Sequence, residues 1–352
     1  MKKQITIFLL LLFFSVVNPA DSSGKNKDIM AVTGATPVAF TEKAPVNISL
    51  KITGLVKKEY VFSGEALNTL ATTRIRTQEV SPEGKLTGTY AYIGIPVLHI
   101  LEGVAIKAFD KAKEFDRPLD FIVTFTSSSG KSVNFSYGEI IFVNDALPLT
   151  LAFDRKEIRA SKNPDKYDKN VHKENIKGLR LISPRDVNTA RYLDDVVKIT
   201  FRRPELTYNK LPIAKKGKCY SKTIICVNKN TESLGKFDLV GRKNFKNWFR
   251  TGHGQGFKSL SNAEGFTLRD FLKKNFPGCG SDNYFLFIAC DGYRCLFSGR
   301  EIFDHADGKA MLIIDKIDGK DAFSGFMLAP IRDYFVDRDV WGLSHIIMLD
   351  NI

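Results

Sequence analysis

Two similar hairpin segments occur in the chain, and this internal similarity limits the folds available to it more than any other feature. Residues 120–142 read DFIVTFTSSSGKSVNFSYGEIIF, and residues 282–303 read DNYFLFIACDGYRCLFSGREIF. Each segment predicts an apolar strand, a tight turn with glycine, a second strand and a short G-[ER]-x-I-F stretch. Gly138 of the first segment aligns with Gly299 of the second. The similarity predicts that one folding unit occurs twice.

The segments that flank the two hairpins also correspond, in the same order. Before each hairpin lies a glycine and a short stretch with leucine or phenylalanine at helical spacing, which predicts a short helix. After each hairpin come a buried strand, a proline, a polar loop with an arginine, and another apolar strand. The corresponding stretches are 94–104 with 265–275, 179–201 with 326–349 and, more loosely, 48–67 with 223–245. Their shared order predicts a duplicated chain.

These matches divide the chain into two predicted domains of one fold. A hydrophobic content of 43% and a charged content of 26% are typical of globular proteins. We expect a mixed α/β (α+β) fold built from β-sheet and short helices. The predicted organisation is a signal peptide at 1–20, a flexible N-terminal segment at 21–45, a first half at 46–203, a linker at 204–219 and a divergent second half at 220–352. We call residues 46–203 the first half and residues 220–352 the second half.

The N-terminus predicts export to the periplasm or the medium. Lys2 and Lys3 precede an apolar run from Ile5 to Val17, which is shorter than a bilayer-spanning helix and typical of a secretory signal. An uncleaved membrane anchor is the alternative. No other stretch is apolar enough to span a membrane, so we expect no transmembrane segment after signal removal.

The charge of the chain bears on its partners. A net charge of +13 suits an exported protein that meets acidic ligands, anionic lipid surfaces or polyanions, although it also serves solubility alone. There is no long Lys/Arg block and no nucleic-acid motif, and export argues against a genomic partner. We expect no nucleic-acid binding.

Three stretches of the first half carry a family resemblance. They read LKITGLVKKEYVFSGEAL, then GTYAYIGIPVLHILE, then LRLISPRDVNTARYLDDVVKITF. In order and spacing they resemble the sulfite-oxidase-type molybdopterin-binding domain, over about 50–201 and more faintly in the second half. The resemblance implies a mixed α/β domain around a β-sheet. For catalytic members it also implies molybdenum held by the dithiolene of the cofactor and by one cysteine thiolate.

The cysteine that this resemblance requires is missing from both halves. The matching stretch of the first half is 72–90, the second half offers 249–260, and neither contains cysteine. Thiolate is the soft ligand that such a metal site needs. We therefore expect no cofactor and assign no catalytic or metal-binding residue, with molybdopterin implied only by the resemblance of the fold.

All five cysteines lie after residue 218, at Cys219, Cys226, Cys279, Cys290 and Cys295. Export permits disulfides, and the odd number leaves at least one cysteine free or bonded between chains. Cys290 and Cys295 flank a hairpin turn and are a candidate disulfide, with free buried thiols or a metal or redox site as alternatives. Zinc would need two further ligands. Cys219 and Cys226 are the second candidate pair, unless Cys226 is a core residue.

The stretch GHGQG at 252–256 is a candidate for binding an anion. Its glycines let the backbone approach a ligand closely, and His253 lies among them, with Arg250 and Lys258 on either side. It also falls where the loop that binds the cofactor would lie by the resemblance. A solvent-exposed loop is the alternative interpretation.

Three arginines are further candidates for ligand binding. Arg185, Arg191 and Arg338 lie in the loops that, by the resemblance, help to hold the charged end of the cofactor. A guanidinium suits phosphate because it donates two parallel hydrogen bonds. Pairing with a nearby aspartate, such as Asp186 or Asp337, is the alternative.

Two functional hypotheses of different classes follow. In the first, the protein is non-catalytic and binds an anionic small molecule or an envelope partner protein, in the old cofactor pocket or in a cleft between the halves. The second is a molybdopterin-dependent oxidoreductase with a metal environment that lacks cysteine. A structural envelope protein without a ligand is a third possibility. The missing thiolate and the positive charge favour the first.

Overall fold

The structure is a computed structural model. It describes residues 43–109, 115–142, 147–159, 162, 171–174, 176–210, 219–237, 241–252 and 256–350. The predicted signal peptide therefore lies outside the described residues, as does His253 of the 252–256 stretch.

The first half contains ten described strands. Their bounds are β1 (Ser49–Gly54), β2 (Tyr60–Ser63), β3 (Thr73–Val80), β4 (Leu86–Pro96), β5 (Ile122–Ser127), β6 (Ser132–Ser136), β7 (Thr150–Ile158), β8 (Val171–Glu174), β9 (Arg180–Ile182) and β10 (Val196–Arg202).

The second half contains eleven described strands. Their bounds are β11 (Ile225–Asn228), β12 (Thr231–Leu234), β13 (Arg242–Thr251), β14 (Phe257–Thr267), β15 (Tyr284–Ala289), β16 (Arg294–Ser298), β17 (Met311–Ile317), β18 (Lys320–Asp321), β19 (Met327–Pro330), β20 (Val340–Trp341) and β21 (Leu343–Leu349).

The α-helices are short in the part of the chain that the structure describes. They are α1 (Gly64–Leu67), α2 (Val97–Glu102), α3 (Tyr137–Ile141), α4 (Leu268–Asn275) and α5 (Gly299–Phe303). The longest has 8 residues, and none of the described helices has the length and apolar character needed to cross a bilayer.

The predicted α/β (α+β) class is wrong, because the described chain is mostly β. Helices were expected where leucine and phenylalanine recur at helical spacing, and α2 and α4 do form there. Each makes little more than two turns at most, however, directly follows a strand (β4 or β14), and is too short to form a helical layer on a sheet. The apolar segments between them, rich in phenylalanine and isoleucine, pair with one another as strands.

The strands form four sheets, and two of these have the same strand order. The first reads β2-β1-β10-β5-β6, and the second reads β12-β11-β21-β15-β16. In each, the first and last strands of the half lie parallel, β1 beside β10 and β11 beside β21, while the hairpins β5–β6 and β15–β16 are antiparallel. The other two sheets are β3-β4-β7-β8 with β9 on β7, and β13-β14-β17-β19-β20 with β18 on β17.

The hairpins β5–β6 and β15–β16 turn at glycines with positive φ. Gly130 has φ 84° and Gly292 has φ 89°. The N–H of Gly130 donates to the carbonyl of Ser127, and that of Gly292 to the carbonyl of Ala289, both at 3.0 Å. Other residues rarely adopt this left-handed backbone conformation, so each glycine fixes the position of its turn.

Apolar packing joins the two halves. One large core fills the first half, with Leu50, Phe125 and Phe201 fully buried. The core of the second half includes Leu119 from the first half, and Ile122 packs with Tyr208 against the outer face of β15 and β16. The residues from Val38 onward form one compact unit. The domain boundaries at 203 and 220 stay a prediction.

A disulfide joins Cys219 to Cys290, with the Cα atoms 5.6 Å apart. The predicted pairs Cys290–Cys295 and Cys219–Cys226 are therefore wrong. Cys295 lies on β16 opposite Phe287, and its side chain points into the core. Cys226 is likewise buried on β11, as its alternative interpretation held.

Gly342 explains how the two bonded cysteines meet. Its φ is 71°, and a Cβ there would lie 2.6 Å from the Sγ of Cys219 and 3.1 Å from the Sγ of Cys290. Any larger residue would displace the disulfide. The bond therefore ties the last residue of the linker to the end of β15 beside the turn into β21.

We predict that replacing Cys219 and Cys290 together by serine lowers the free energy of unfolding by about 4 kcal/mol. The cysteines are 71 residues apart, and opening a loop of that length raises the entropy of the unfolded chain by about this amount. Urea unfolding measures the change. Cys279→Ser is the control, because Cys279 is half-buried and unbonded. Equal losses in both variants would contradict the assignment.

Candidate functional site

Two short helices, α3 and α5, begin with the same pair of side chains. The Ser136 hydroxyl accepts a hydrogen bond from the N–H of Glu139 at 3.1 Å, and the Glu139 carboxylate accepts one from the N–H of Ser136 at 2.9 Å. Ser298 and Glu301 make the same two bonds at the start of α5, at 3.2 and 3.1 Å. Each is a capping box, which satisfies N–H groups that the first turn of a helix leaves unpaired.

The two capping boxes are also bonded to each other across the halves. The Ser136 hydroxyl donates to Oε2 of Glu301, and the Ser298 hydroxyl donates to Oε2 of Glu139, both at 2.9 Å. All four side chains are buried. Each serine therefore caps its own helix and holds the carboxylate of the other half.

In the first half, a buried guanidinium completes this arrangement. Arg191 donates to Oε1 of Glu139 at 2.8 Å. It also donates to both carboxylate oxygens of Asp186, at 2.6 and 2.8 Å. Its guanidinium lies 4.0 Å from the ring centre of Phe135, where the aromatic face adds attraction for a cation.

The second half repeats the arrangement around Arg338, which is fully buried. Arg338 donates to Oε1 of Glu301 at 2.6 Å. It also donates to both oxygens of Asp333, at 2.5 and 2.7 Å. The guanidinium lies 4.4 Å from the ring centre of Phe297. We call these two arginines, their four carboxylates and the two serines the junction.

Four carboxylates therefore face two guanidiniums in the junction. Burial raises the pKa of Glu139, with the attraction of Arg191 opposing this and the negative charge of Glu301 adding to it. For Asp186, burial also opposes ionisation. The charge of Arg191 and the hydrogen bonds from Arg191 and His305 outweigh it and hold the pKa of Asp186 well below its usual range.

Further polar contacts connect the halves around the junction. His305 of the second half bonds through Nε2 to Oδ1 of Asp186 at 2.9 Å and is nearly fully buried. Arg185 of the first half donates to Asp307 of the second at 2.5 Å.

A cleft of about 430 Å³ opens beside the junction, between the two halves. Asn134 and Arg191 line it from the first half, and Tyr284, Ser298 and Arg300 from the second. The walls are polar, and the Tyr284 hydroxyl bridges them by donating to the carbonyl of Asn134 at 2.8 Å.

Within this cleft Arg300 is held less tightly than the junction arginines. It donates to Asp282 at 2.8 Å and more weakly to Asn188 at 3.5 Å, and Asp304 lies 3.7 Å away. The side chain of Asp282 is 86% exposed, so water competes for this bond. Arg300 was not identified from the sequence.

The arginines predicted to bind a ligand are engaged with carboxylates. Arg191 pairs with Asp186, as its alternative interpretation held, although in the interior and not at the surface. The partner of Arg338 is Asp333 and not Asp337. Arg191 and Arg338 are buried and paired, and ligand binding by the three arginines stays a prediction.

The other predicted basic residues lie on the β13–β14 hairpin. Arg250 stacks between Trp248 and Trp341, at 4.6 and 4.9 Å from their ring centres. Lys258 is exposed. In the described residues, no hydrogen bond or ion pair joins Arg250 or Lys258 to the junction.

Sequence reasoning missed the serines and glutamates of the junction, although a signal was present. SYGE at 136–139 and SGRE at 298–301 both match the S-x-x-E pattern of a capping box. That pattern aligns Ser136 with Ser298, whereas the alignment of Gly138 with Gly299 is displaced by one residue.

The stretch 72–90, where the resemblance implies the metal ligand, forms β3 and the start of β4. Glu79 is buried there and accepts a hydrogen bond from the Tyr92 hydroxyl, while Arg180 lies 3.7 Å from its other oxygen. Burial and the negative charge of Glu79 raise the pKa of Tyr92 well above its usual range. The Glu79 carboxylate therefore already has its partners, Tyr92 and Arg180, within the protein.

The free thiols do not supply a metal ligand either. Burial raises the pKa of Cys226 to about 12, and it also raises the pKa values of Cys279 and Cys295. Metals bind the thiolate, which such shifts disfavour at neutral pH. No group of three His, Cys, Asp or Glu side chains in the described residues is arranged to hold a metal ion. The residues present do not fit the molybdopterin site that the resemblance implies.

Comparison with solved structures gives a distant likeness. No family model and no curated protein matches the chain. Among solved structures, the crystal structure of the sulfane dehydrogenase SoxCD from Paracoccus pantotrophus is similar to it, with a TM-score of 0.31 and 12% identity, over 88% of this chain and 80% of that chain. No functional argument rests on a likeness of this size.

We predict that Asp186→Asn lowers the free energy of unfolding by about 3–5 kcal/mol at pH 7, because it leaves the buried Arg191 guanidinium without one of its two counter-charges. Folding lowers the pKa of Asp186. The contribution of its carboxylate to the free energy of unfolding is therefore fully present above the ordinary pKa of about 3.9, and it shrinks as the pH falls below that value. Urea unfolding between pH 3 and 8 measures the difference.

Asp194→Asn is the matched control for this substitution. Asp194 also pairs with an arginine, Arg180, at 2.6 Å, but its side chain is 67% exposed. Its loss therefore lowers the free energy of unfolding by less than about 1 kcal/mol. A deficit of Asp186→Asn that equalled the control, or that grew toward acid pH, would contradict the role of the junction.

Proposed function

We propose that this chain is an exported, non-catalytic binding protein that holds a small anionic molecule in the cleft between its halves. The observation that carries the proposal is Arg300, a guanidinium that faces the cleft and whose strongest partner, Asp282, is a solvent-exposed carboxylate. An anion that enters the cleft replaces Asp282 as the partner of Arg300. Charge-assisted hydrogen bonds of this kind are among the strongest that a polar cleft offers.

The groups around Arg300 suit a small polar ligand. Tyr284, Ser298 and Asn134 surround it, so hydroxyl and amide groups lie beside the charge. A second cavity of about 460 Å³ lies beside the linker. There Lys229 already pairs with Asp350 at 3.5 Å. The cleft at the junction is therefore the better anion site.

The proposal that the protein is non-catalytic rests on the chemistry of the side chains that could bind a metal. The stretch 72–90 offers a carboxylate satisfied by Tyr92, and the free thiols are protonated at neutral pH. The molybdopterin-dependent alternative has no residue in these places to hold the metal.

Export and duplication belong to the same proposal. Export is supported by Lys2, Lys3 and the apolar run that follows, and by the Cys219–Cys290 disulfide, which suits an oxidising compartment. Duplication is supported by the equal strand order of two sheets and by the capping boxes that each half contributes to the junction.

We predict that small anions such as phosphate, sulfate or citrate raise the melting temperature of the protein. An anion at a hundred times its dissociation constant stabilises the fold by about 2.7 kcal/mol, which is on the order of 5 °C. Arg300→Gln weakens binding about tenfold or more, because a hydrogen bond to a charged group contributes about 1.5–3 kcal/mol. Thermal shift and calorimetry measure both effects.

Arg76→Gln is the control, because Arg76 is exposed on β3 and does not line the cleft. It changes the net charge by the same amount and leaves the affinity unchanged. The cleft is the wrong site if no anion raises the melting temperature, or if both variants lose affinity equally.

A further inference from the structure

The β13–β14 hairpin exposes an apolar surface. Phe249, Phe257 and Leu260 are 60, 58 and 57% exposed. Phe249 lies directly opposite Leu260 in the strand register, and the rings of Phe249 and Phe257 lie 5.0 Å apart. Three large apolar side chains therefore form one exposed cluster.

The opposite side of the same hairpin is anchored in the protein. Trp248, next to Phe249 in the chain, is 2% exposed and packs with Ala263 and Leu312. Because successive side chains of a strand point to opposite faces, burial of Trp248 turns Phe249 outward. The exposed cluster is thus held in place by the packing beneath it.

The hairpin is also basic over most of its length. No aspartate or glutamate occurs from residue 243 to residue 263. Lys243, Lys246 and Lys258 are exposed, and none of them has an ion-pair partner in the part of the chain that the structure describes. Lys243 lies near the base of the hairpin, opposite Gly265. We call Phe249, Phe257, Leu260, Lys246 and Lys258 the hairpin face.

The other long hairpin, β3–β4, lacks this combination. Near its turn it exposes one large apolar side chain, Leu86, which is 63% exposed. Glu83 and Lys85 lie in the turn and offset each other in charge. The hairpin face is therefore a property of one hairpin and not of long hairpins in this molecule generally.

We propose that the hairpin face docks on the surface of an anionic phospholipid bilayer. Aromatic side chains favour the boundary between lipid headgroups and acyl chains, and lysines next to them bind anionic headgroups. The apolar cluster enters the boundary while the lysines stay at the headgroups, so that the hairpin lies on the membrane without crossing it.

The charges argue against a second copy of the chain as the occupant. A two-fold dimer would bring the same patch of both copies together. Four lysines, Lys246 and Lys258 of each copy, would then meet around an apolar centre with no acidic residue from 243–263 of either copy. An anionic surface removes this repulsion.

The test is flotation of the purified protein with vesicles of phosphatidylcholine, with and without 30% phosphatidylglycerol. One variant combines Phe249→Ser with Leu260→Ser, and a second combines Lys246→Gln with Lys258→Gln. The control combines Leu86→Ser with Lys85→Gln and so makes the same types of change on β3–β4. All variants carry the same N-terminal apolar run, so only differences between them count.

The expected result is stronger binding to the anionic vesicles, weakened at least tenfold by either hairpin variant and unchanged in the control. Binding of the wild type weakens as salt is raised, and this dependence is smaller in the lysine variant. Circular dichroism confirms that each variant is folded. Equal binding by the hairpin variants and the control overturns the proposal.

Sedimentation velocity without vesicles separates the other occupants. A wild-type dimer that the Phe249→Ser, Leu260→Ser variant dissociates, without selective binding to anionic vesicles, would assign the face to a second copy and overturn the lipid proposal. Arg300→Gln leaves vesicle binding unchanged, because the anion cleft and the hairpin face are independent.

Discussion

The buried pairs Arg191–Glu139 and Arg338–Glu301 are the constraint on which the rest of the structure depends. Removing a charge from water costs several kcal/mol even after the protein relaxes, so each guanidinium and carboxylate must find its partner inside. Each glutamate has three: a helix N–H, an arginine of its own half and a serine of the other half. A packing that separated the halves would leave the serine bonds unmade and expose both pairs.

This dependence gives the junction a role in specifying geometry. An apolar cluster of the same volume would pack as tightly, because replacing buried ion pairs by apolar side chains is often neutral or stabilising. It would also tolerate sliding of one half against the other. The hydrogen bonds of Ser136 and Ser298 do not, since each links a helix end to a carboxylate at 2.9 Å. We infer that the junction holds the cleft at a fixed width.

The partners of each arginine decide what it can do. The side chains of Arg191 and Arg300 are similarly buried, at 7% and 11% exposure, but Arg191 pairs with buried carboxylates and Arg300 with the exposed Asp282. Arg191 and Arg338 look like ligand-binding residues in the sequence because they lie in polar loops beside strands. In the folded protein, buried carboxylates already pair with both arginines. Arg300 lies in the capping box of α5, between Ser298 and Glu301, and points away from the junction toward the cleft. The position of Arg300 in the sequence does not indicate this orientation, because the direction of its side chain depends on how α5 packs.

Much of the fold could be predicted from the sequence, and the misses have physical causes. The hairpins 120–142 and 282–303 and the short helices near 97 and 268 follow from local apolar periodicity and turn glycines. The predicted α/β class was wrong because apolar periodicity identifies a helix but does not show whether that helix forms a layer on a sheet. The disulfide was missed because Cys219 and Cys290 meet only through the folded turn at Gly342. The junction combines residues from four separate segments, and only its S-x-x-E pattern was visible locally.

The two long hairpins, β3–β4 and β13–β14, differ in how their inner sides are held. In β3–β4, Glu79 needs a phenol and a guanidinium at fixed distances, so a change to any partner leaves a buried charge unmatched. In β13–β14, the guanidinium of Arg250 lies between two indole rings, an attraction that tolerates small shifts. The side chains on the outer side of β13–β14 are therefore less constrained by the contacts on its inner side. This is where the chain carries exposed aromatic and basic residues.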